Sequence, residues 1–250
     1  MVACPRRADD LSAARAARPA ADLTGPAEDY LKAVYELERS GEPAETNAIA
    51  RILAVAPASV SGMMRRLADQ GLISHERYHG ARLTAAGRRA ALRTIRRHRV
   101  IESYLTSALG YSWDRVHDEA ERLEHAASDE LIDRMAAAIG EPDTDPHGAP
   151  IPTREGTVQE EQALVPLASL QPGDLARVER VSDDNSERLR YFADLGIVPG
   201  ATVQLVAREP FEGPLALRVG ESPRTIGPVV AEQVLVSVLV APRSKQQRRR

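Results

Sequence analysis

The period of the hydrophobic positions changes along the chain and predicts two kinds of structure. From about residue 24 to residue 148, apolar side chains recur every three or four residues, as in amphipathic helices. From Leu164 to about residue 240, they fall in short alternating runs separated by Pro-Gly turns, as in strands. The expected fold class is mainly α with a small β part: an N-terminal winged helix-turn-helix, a helical domain and a C-terminal small β-barrel.

The first helical part predicts a unit that reads DNA. A helix begins at Thr24-Gly25-Pro26, two short helices follow over 46–53 and 58–70, and a hairpin returns through residues 82–84. We favour a winged helix-turn-helix over a helical domain with an ordinary hairpin, because element order, lengths and basic charge agree. The expected DNA contacts are small residues at the start of the second short helix and nearby arginines: Ala58, Ser59, Ser61, Gly62, Arg65, Arg66, Arg77 and Arg82.

Charge is segregated along the chain, although the net charge is only −3. Residues 42–110 contain eleven arginines and five acidic residues, a net of +6, whereas residues 111–165 contain four arginines and fourteen acidic residues, a net of −10. The basic part favours a polyanion and the acidic part favours a cation. No apolar run is long enough to span a membrane, no secretory signal is recognisable and Cys4 is the single cysteine, so we expect a cytoplasmic protein.

One stretch of the acidic part, HDEAERLEH from His117 to His125, has imidazoles and carboxylates at helical spacing. In a single helix over 114–138, four of these residues lie within roughly a 100° arc of one face: His117, Glu121, Glu124 and His125. That face continues into Leu131 and Met135, which are expected in the core. The helix expected over 85–109 interrupts its apolar stripe in the same way. A metal site explains both stripes, because buried carboxylates are costly without a partner, and a solvated acidic face explains neither. The residues of the two stripes are His98, Glu102, His117, Glu121, Glu124 and His125.

These features together resemble the metal-dependent transcriptional repressors of the diphtheria toxin repressor family, over nearly the whole chain. The matching pieces are Ala27 to Leu31, Tyr35-Glu36-Leu37, the winged helix, Arg97-His98-Arg99, Val116 to His125, Ser128-Asp129 and residues 148–152. The segment LRYFADLGIVPG, Leu189 to Gly200, looks like the family's C-terminal SH3-like, FeoA-type domain. The resemblance implies a repressor of metal-homeostasis genes that binds a palindromic double-stranded operator as a homodimer, with no membrane and no small organic substrate as partner.

Domain boundaries follow from the patterns and the resemblance together. The expected divisions are a disordered arm over 1–23, the DNA-binding domain over 24–84, the helical metal-binding and dimerisation domain over 85–148, a linker over 149–163, the SH3-like domain over 164–240 and a basic tail over 241–250.

The resemblance also implies two metal sites. The primary site is implied at Asp29, Glu121, Glu124 and His125, and the ancillary site at His98, Glu102 and His117. Iron-type members place a Met and a Cys where this chain has Asp29 and Glu121, and hard oxygen ligands favour Mn²⁺ as the cofactor. The same regulator answering to Fe²⁺ remains the alternative. His147, beyond the two helices, is interpreted as a loop residue and not as a ligand.

Two sets of positions depart from the family pattern. Lys32 stands where some manganese-type members carry a second carboxylate, so we do not expect a carboxylate-bridged metal pair. The family's SH3-like domain adds a Glu and a Gln to the ancillary site, and the aligned residues here are Asn185 and Arg188. Asp184 and Glu187 are the possible substitutes.

Other functions remain open at the level of sequence. Carboxylates and histidines on facing helices also build dimetal oxidase sites, but those use paired Glu-x-x-His motifs from four helices, which this sequence lacks. No nucleophile–base set or phosphate loop is recognisable, so we do not expect an enzyme. An activator of an efflux gene is not distinguished from a repressor of uptake, because the sign of regulation depends on operator position.

Overall fold

Three helices and a hairpin form the first domain in the computed structural model, which describes residues 23–76, 80–158 and 163–240. The elements are α1 (Gly25–Ser40), α2 (Thr46–Ile52), α3 (Pro57–Asp69), β1 (Ile73–Glu76) and β2 (Gly80–Leu83), with β1 and β2 antiparallel. Pro26 lies in the first turn of α1, and Gly41 ends that helix with a φ of 78°. Leu31, Val34 and Val60 are fully buried in the domain core. The predicted winged helix-turn-helix is confirmed.

Some of the predicted features lie outside the described residues. These are the N-terminal arm up to residue 22 with Cys4, the tip of the wing with Arg77, and the basic tail. Most of the expected linker, residues 149–158 and residue 163, is described.

No single described helix is long and apolar enough to cross a membrane. Helices α2 and α3 meet a length and composition criterion only as a pair, and the pair is bent by 108°. Both helices contribute buried side chains to the core of the first domain, among them Ile49 and Leu67.

The helical domain consists of α4 (Ala85–Leu109), α5 (Val116–Leu123) and α6 (Asp129–Ala138). Helix α4 has the predicted bounds because Thr84 accepts a hydrogen bond from the Gly87 amide and Gly110 follows in the left-handed conformation. The prediction of a single helix over 114–138 is wrong. The helix is interrupted at residues 124–128, and the Ser128 hydroxyl caps α6 by accepting a hydrogen bond from the Leu131 amide.

The break changes which residues of α6 are buried. Leu131, expected in the core, is 44% exposed, whereas Ile132 and Ala136 are buried against α4 and α5. Met135 is partly buried at the edge of the same core. A helix that starts again after a break no longer continues the face of the preceding helix, and the apolar stripe therefore moves by one position.

The C-terminal domain is a six-stranded antiparallel sheet in the order β3-β8-β4-β5-β6-β7. Its elements are β3 (Val165–Pro166), β4 (Leu175–Val181), α7 (Ser186–Leu195), β5 (Thr202–Arg208), β6 (Leu215–Val219), β7 (Ser222–Ile226), α8 (Pro228–Ala231) and β8 (Val234–Val240). Phe192 of α7 is fully buried against inward-facing strand residues such as Val203 and Leu217. The predicted fold class is confirmed.

The segment from Asp145 to Pro150 joins the helical domain to the sheet. The Val181 amide donates to the His147 carbonyl at 3.0 Å. Gly148 has a φ of 87° and lies so close to the Glu179 carbonyl that a Cβ would clash with it. The His147 ring stacks on Trp113, with 5.7 Å between ring centroids, and its Nε2 donates to the Trp113 carbonyl. This contact brings the end of β4 against α4 and α5.

Candidate metal centre and DNA-reading surface

The first turns of α1 place a carboxylate beside the break between α5 and α6. Oδ1 of Asp29 lies 2.9 Å from Nε2 of His125, and Oε1 of Glu124 lies 3.6 Å from the same nitrogen. The three residues each offer a ligand atom, and these atoms lie within 4.8 Å of one another. Three of the four residues of the implied primary site therefore meet around one point.

Glu121, the fourth residue of that site, belongs to an adjoining group. Its Oε1 lies 3.5 Å from Nδ1 of His98, which is 2.5 Å from Oε2 of Glu124. His98, Glu121 and Glu124 again have ligand atoms within 4.8 Å of one another. Because the fully buried Glu124 belongs to both groups, they form one continuous cluster, which we call the primary cluster.

Lys32, one turn after Asp29 on α1, donates directly into the primary cluster. Its Nζ lies 2.6 Å from Oε1 of Glu121, and 3.1 and 3.3 Å from the two carboxylate oxygens of Glu124. Burial alone lowers the pKa of an ammonium group, but these two carboxylates outweigh it and raise the pKa of Lys32. A permanent positive charge on α1 therefore lies within hydrogen-bonding distance of two carboxylates of the primary cluster.

The implied ancillary residues also meet, through the other nitrogen of His98. Nε2 of His98 lies 3.0 Å from Oε1 of Glu102 and 3.2 Å from Nδ1 of His117. Burial lowers the pKa of His98, and the Glu102 carboxylate outweighs that effect and raises it to about 10. Oδ2 of Asp183, which follows β4, lies 3.9 Å from Nδ1 of His117.

Three residues that sequence reasoning did not propose as ligands extend this ancillary group. Asp145, His147 and Asp183 have ligand atoms within 4.8 Å of one another and of a Glu102 oxygen. His147 lies in a loop, as expected, but its side chain is fully buried, with Nδ1 3.8 Å from oxygens of both Glu102 and Asp183. We call Glu102, Asp145, His147 and Asp183 the ancillary cluster.

The C-terminal domain reaches the cluster through a different residue from those aligned at the sequence level. The Asn185 side chain accepts from the Arg188 amide and caps α7, and Asp184 pairs with the Arg188 guanidinium. These side chains are therefore engaged with each other, and the carboxylate beside His117 and His147 is that of Asp183. The residue that lies there is thus neither Asp184 nor Glu187, the substitutes that the sequence suggests.

Unsatisfied polar atoms test whether a cation fits these clusters. Among the described residues, five buried side-chain polar atoms lack a hydrogen-bond partner, and four of them belong to the two clusters: Asp29 Oδ1, Glu102 Oε2, Asp145 Oδ2 and His147 Nδ1. Burial and then the nearby Glu102 raise the pKa of Asp145 to about 6. Asp145 Oδ2 lies 3.5 Å from Nε of Arg99, an ion-pair contact without a hydrogen bond. Buried polar atoms nearly always make hydrogen bonds in proteins, so three carboxylate oxygens and one imidazole nitrogen without hydrogen bonds fit a divalent cation.

The residues expected to contact DNA lie on one part of the first domain. Ala58, Ser59, Ser61 and Gly62, in the first turns of α3, are all exposed, and so are Arg65 and Arg66 one turn later. Arg82 is exposed on β2. A helix start with small exposed side chains followed by arginines suits approach to base edges and phosphates.

Comparison with known proteins covers all three domains. Residues 22–81 match the iron dependent repressor N-terminal DNA binding domain, residues 84–153 match the iron dependent repressor metal binding and dimerisation domain, and residues 165–238 match the FeoA domain. The diphtheria toxin repressor of Corynebacterium jeikeium is 31% identical over 210 residues, which cover 75% of this chain and 88% of that protein. The iron-dependent repressor IdeR of Mycobacterium leprae is 32% identical, over 73% of this chain and 84% of that protein.

Solved structures give the same result. A manganese-dependent transcriptional repressor in complex with manganese superposes with a TM-score of 0.80 at 39% identity, covering 85% of this chain and all of that one. The T. acidophilum IdeR structure superposes with a TM-score of 0.70 at 32% identity, covering 84% of this chain and 97% of that one. The chain therefore belongs to the diphtheria toxin repressor family, whose members are metal-dependent, DNA-binding transcriptional repressors and not enzymes.

Proposed function

We propose that this family member responds to manganese and represses genes of metal uptake by binding a palindromic operator as a homodimer. The observation that carries the choice of metal is the donor set of the primary cluster. Asp29, Glu121 and Glu124 supply hard carboxylate oxygens, His125 supplies an imidazole, and no sulfur ligand is present in the cluster. Oxygen-rich sites suit Mn²⁺, whereas thiolate and thioether ligands suit softer ions.

Helix α1 connects the primary cluster to the wing. Asp29 and Lys32 lie near its start, and near its end the Glu38 carboxylate accepts from the Leu83 amide of β2 at 2.8 Å and from Arg88 at 2.8 Å. A divalent cation shared by Asp29, Glu124 and His125 would add a second link between α1 and the helical domain, beside the ion pairs of Lys32. Because Glu38 is hydrogen-bonded to β2, a change in the orientation of α1 also moves the wing. Helix α1 therefore couples metal binding to DNA binding.

We assign a second ion to the ancillary cluster. Three of the four buried polar atoms that lack a hydrogen bond lie there, and Asp183 adds a carboxylate from the C-terminal domain. The implied set of His98, Glu102 and His117 shares Glu102 with this cluster and is the alternative arrangement. In either arrangement the second ion joins the C-terminal domain to α4, since Asp183 lies beside both histidines.

We place dimerisation on the helical domain, which matches a metal binding and dimerisation domain and carries exposed leucines on all three of its helices. Leu109, Leu123 and Leu131 are exposed on α4, α5 and α6 respectively. A Leu131→Asp substitution is expected to weaken the dimer at least tenfold, about 1.4 kcal/mol, because a carboxylate would be desolvated at the interface. Sedimentation equilibrium measures the change, and Val229→Asp is the matched control because Val229, on α8 of the C-terminal domain, is 77% exposed. Equal dimer affinity in both variants would place the interface elsewhere.

The experiment that tests the metal is recovery of genomic DNA fragments by the purified full chain in chelator, in Mn²⁺ and in anaerobic Fe²⁺. We expect a few palindromic sites to be recovered in Mn²⁺ alone. Equal recovery in Fe²⁺ would support the iron-responsive alternative, which the similarity to iron-dependent repressors favours. Recovery that is the same in chelator would contradict metal-dependent regulation by this chain.

A further inference from the structure

Three residues in the first turns of α1 surround the His125 ring. Gly25 lies against the ring, and a Cβ at that position would come within 3.1 Å of the ring carbon Cγ. Nδ1 of His125 is hydrogen-bonded to Oε2 of Glu28 at 2.7 Å. Nε2 faces Asp29 at 2.9 Å, yet Asp29 Oδ1 has no hydrogen bond of acceptable geometry. The ring thus has one nitrogen paired with a carboxylate and the other directed into the primary cluster.

Glu28 is itself held in place by charged residues from the helical domain. Its Oε1 accepts from Nη1 of Arg97 on α4 at 3.3 Å. The buried Arg97 guanidinium donates through Nε and Nη2 to Oδ1 of Asp129, at 3.2 and 3.0 Å. Asp129 is the first residue of α6 and also accepts from Arg93 at 2.9 Å. Arg97 of α4 therefore links Glu28 on α1 to Asp129 at the start of α6.

We infer that Glu28 is a positioning residue that makes Nε2 of His125 the metal-binding nitrogen, with Arg97 and Asp129 fixing its carboxylate; this rests on the proposed primary site. A neutral imidazole has one N–H donor and one acceptor nitrogen. An acceptor at Nδ1 keeps the proton there and leaves the lone pair of Nε2 directed at Asp29. Without that acceptor, the carboxylates that remain near the ring are those of Asp29 and Glu124, and both lie on the side of Nε2. They draw the proton to Nε2, where it blocks ligation.

The test compares Glu28→Leu with Glu28→Gln in the full chain. Both variants remove the charge of Glu28 and have similar volume, but only glutamine keeps an oxygen that accepts from Nδ1–H. We expect Mn²⁺ affinity at the primary cluster to fall about 10- to 100-fold in Glu28→Leu and to stay within about threefold of wild type in Glu28→Gln. Glu130→Ala is the control, because Glu130 is 76% exposed and pairs with Arg134 on the surface of α6.

Nitrogen-15 NMR of histidine-labelled protein gives a second measurement that is independent of DNA binding. The His125 resonances are assigned with a His125→Gln variant, and Zn²⁺ serves as a diamagnetic probe. We expect wild type and Glu28→Gln to carry the proton on Nδ1 and to shift at Nε2 with Zn²⁺, whereas metal-free Glu28→Leu carries its proton on Nε2. The same tautomer and the same Mn²⁺ affinity in Glu28→Leu and Glu28→Gln would overturn the role of Glu28. Absence of any Nε2 shift in the wild type would instead overturn the proposed primary site.

Discussion

The Asp29→Ala variant is expected to bind operator DNA with the same affinity in Mn²⁺ and in chelator. Asp29 is the residue of α1 in the group with Glu124 and His125, so removing it leaves an ion bound there without a ligand on α1. Couplings of this kind usually amount to about 1–3 kcal/mol, or roughly 5- to 150-fold in affinity. In the variant we expect the ratio of operator affinity in Mn²⁺ to operator affinity in chelator to fall to about one. Fluorescence anisotropy with a labelled operator measures the ratio.

The fold of this variant is expected to survive without metal. Burial raises the pKa of Asp29, so its ionised carboxylate gains little in the metal-free fold, and we expect its loss to change the free energy of unfolding little. The exposed leucines of α4, α5 and α6, where we propose the dimer interface, are untouched. Glu42→Ala is the control, because Glu42 lies just beyond the other end of α1 and its side chain is 58% exposed. A normal metal response in Asp29→Ala would remove Asp29 from the primary site.

The Lys32→Glu variant is expected to gain one bound Mn²⁺ per chain and to lose stability without metal. The substitution replaces an ammonium that donates to Glu121 and Glu124 by a carboxylate, which makes the primary cluster two units more negative. Breaking a buried ion pair on one side costs about 3–5 kcal/mol, and Glu124 is fully buried here. The metal-free unfolding midpoint is therefore expected to fall by about 10 °C, and Mn²⁺ is expected to restore it.

Equilibrium dialysis and calorimetric unfolding of two further variants separate charge from ligand number. Lys32→Met removes the ammonium without adding a ligand, so we expect its metal-free stability to fall while its stoichiometry stays at the wild-type value. Asp183→Ala removes a carboxylate of the ancillary cluster alone, and we expect it to bind one ion fewer than wild type. An unchanged stoichiometry in Lys32→Glu would mean that Lys32 does not occupy a cation position.

Much of the fold was predictable because its signals are local. Thr84 and Gly110 mark the two ends of α4, and Pro57 marks the start of α3, through hydrogen-bonding and backbone preferences that act within one turn. The break between α5 and α6 was missed because the charged spacing of HDEAERLEH continues without a Gly or Pro. Ser128 followed by two acidic residues was the available signal for a new helix start.

The candidate site was predictable only where its residues share a helix or a known motif. His98 with Glu102, and Glu121 with Glu124, are separated by helical spacings that place each pair on one face. Asp183 lies 81 positions beyond Glu102 and reaches it only because the Asp145 to Pro150 segment holds the end of β4 against α4. Such proximity depends on domain packing, which no pattern of neighbouring residues encodes.

The contact between Glu38 and the Leu83 amide makes α1 a lever. Glu38 lies nine positions after Asp29, a distance of about 13.5 Å along the axis at about 1.5 Å per residue. A tilt of about 5° pivoting at Asp29 moves the Glu38 end by about 1 Å. Hydrogen bonds tolerate a donor–acceptor range of only about 0.5 Å, so this displacement is enough to break contacts with base edges. The metal-free and metal-loaded forms should therefore have nearly the same shape in solution scattering while differing strongly in operator affinity.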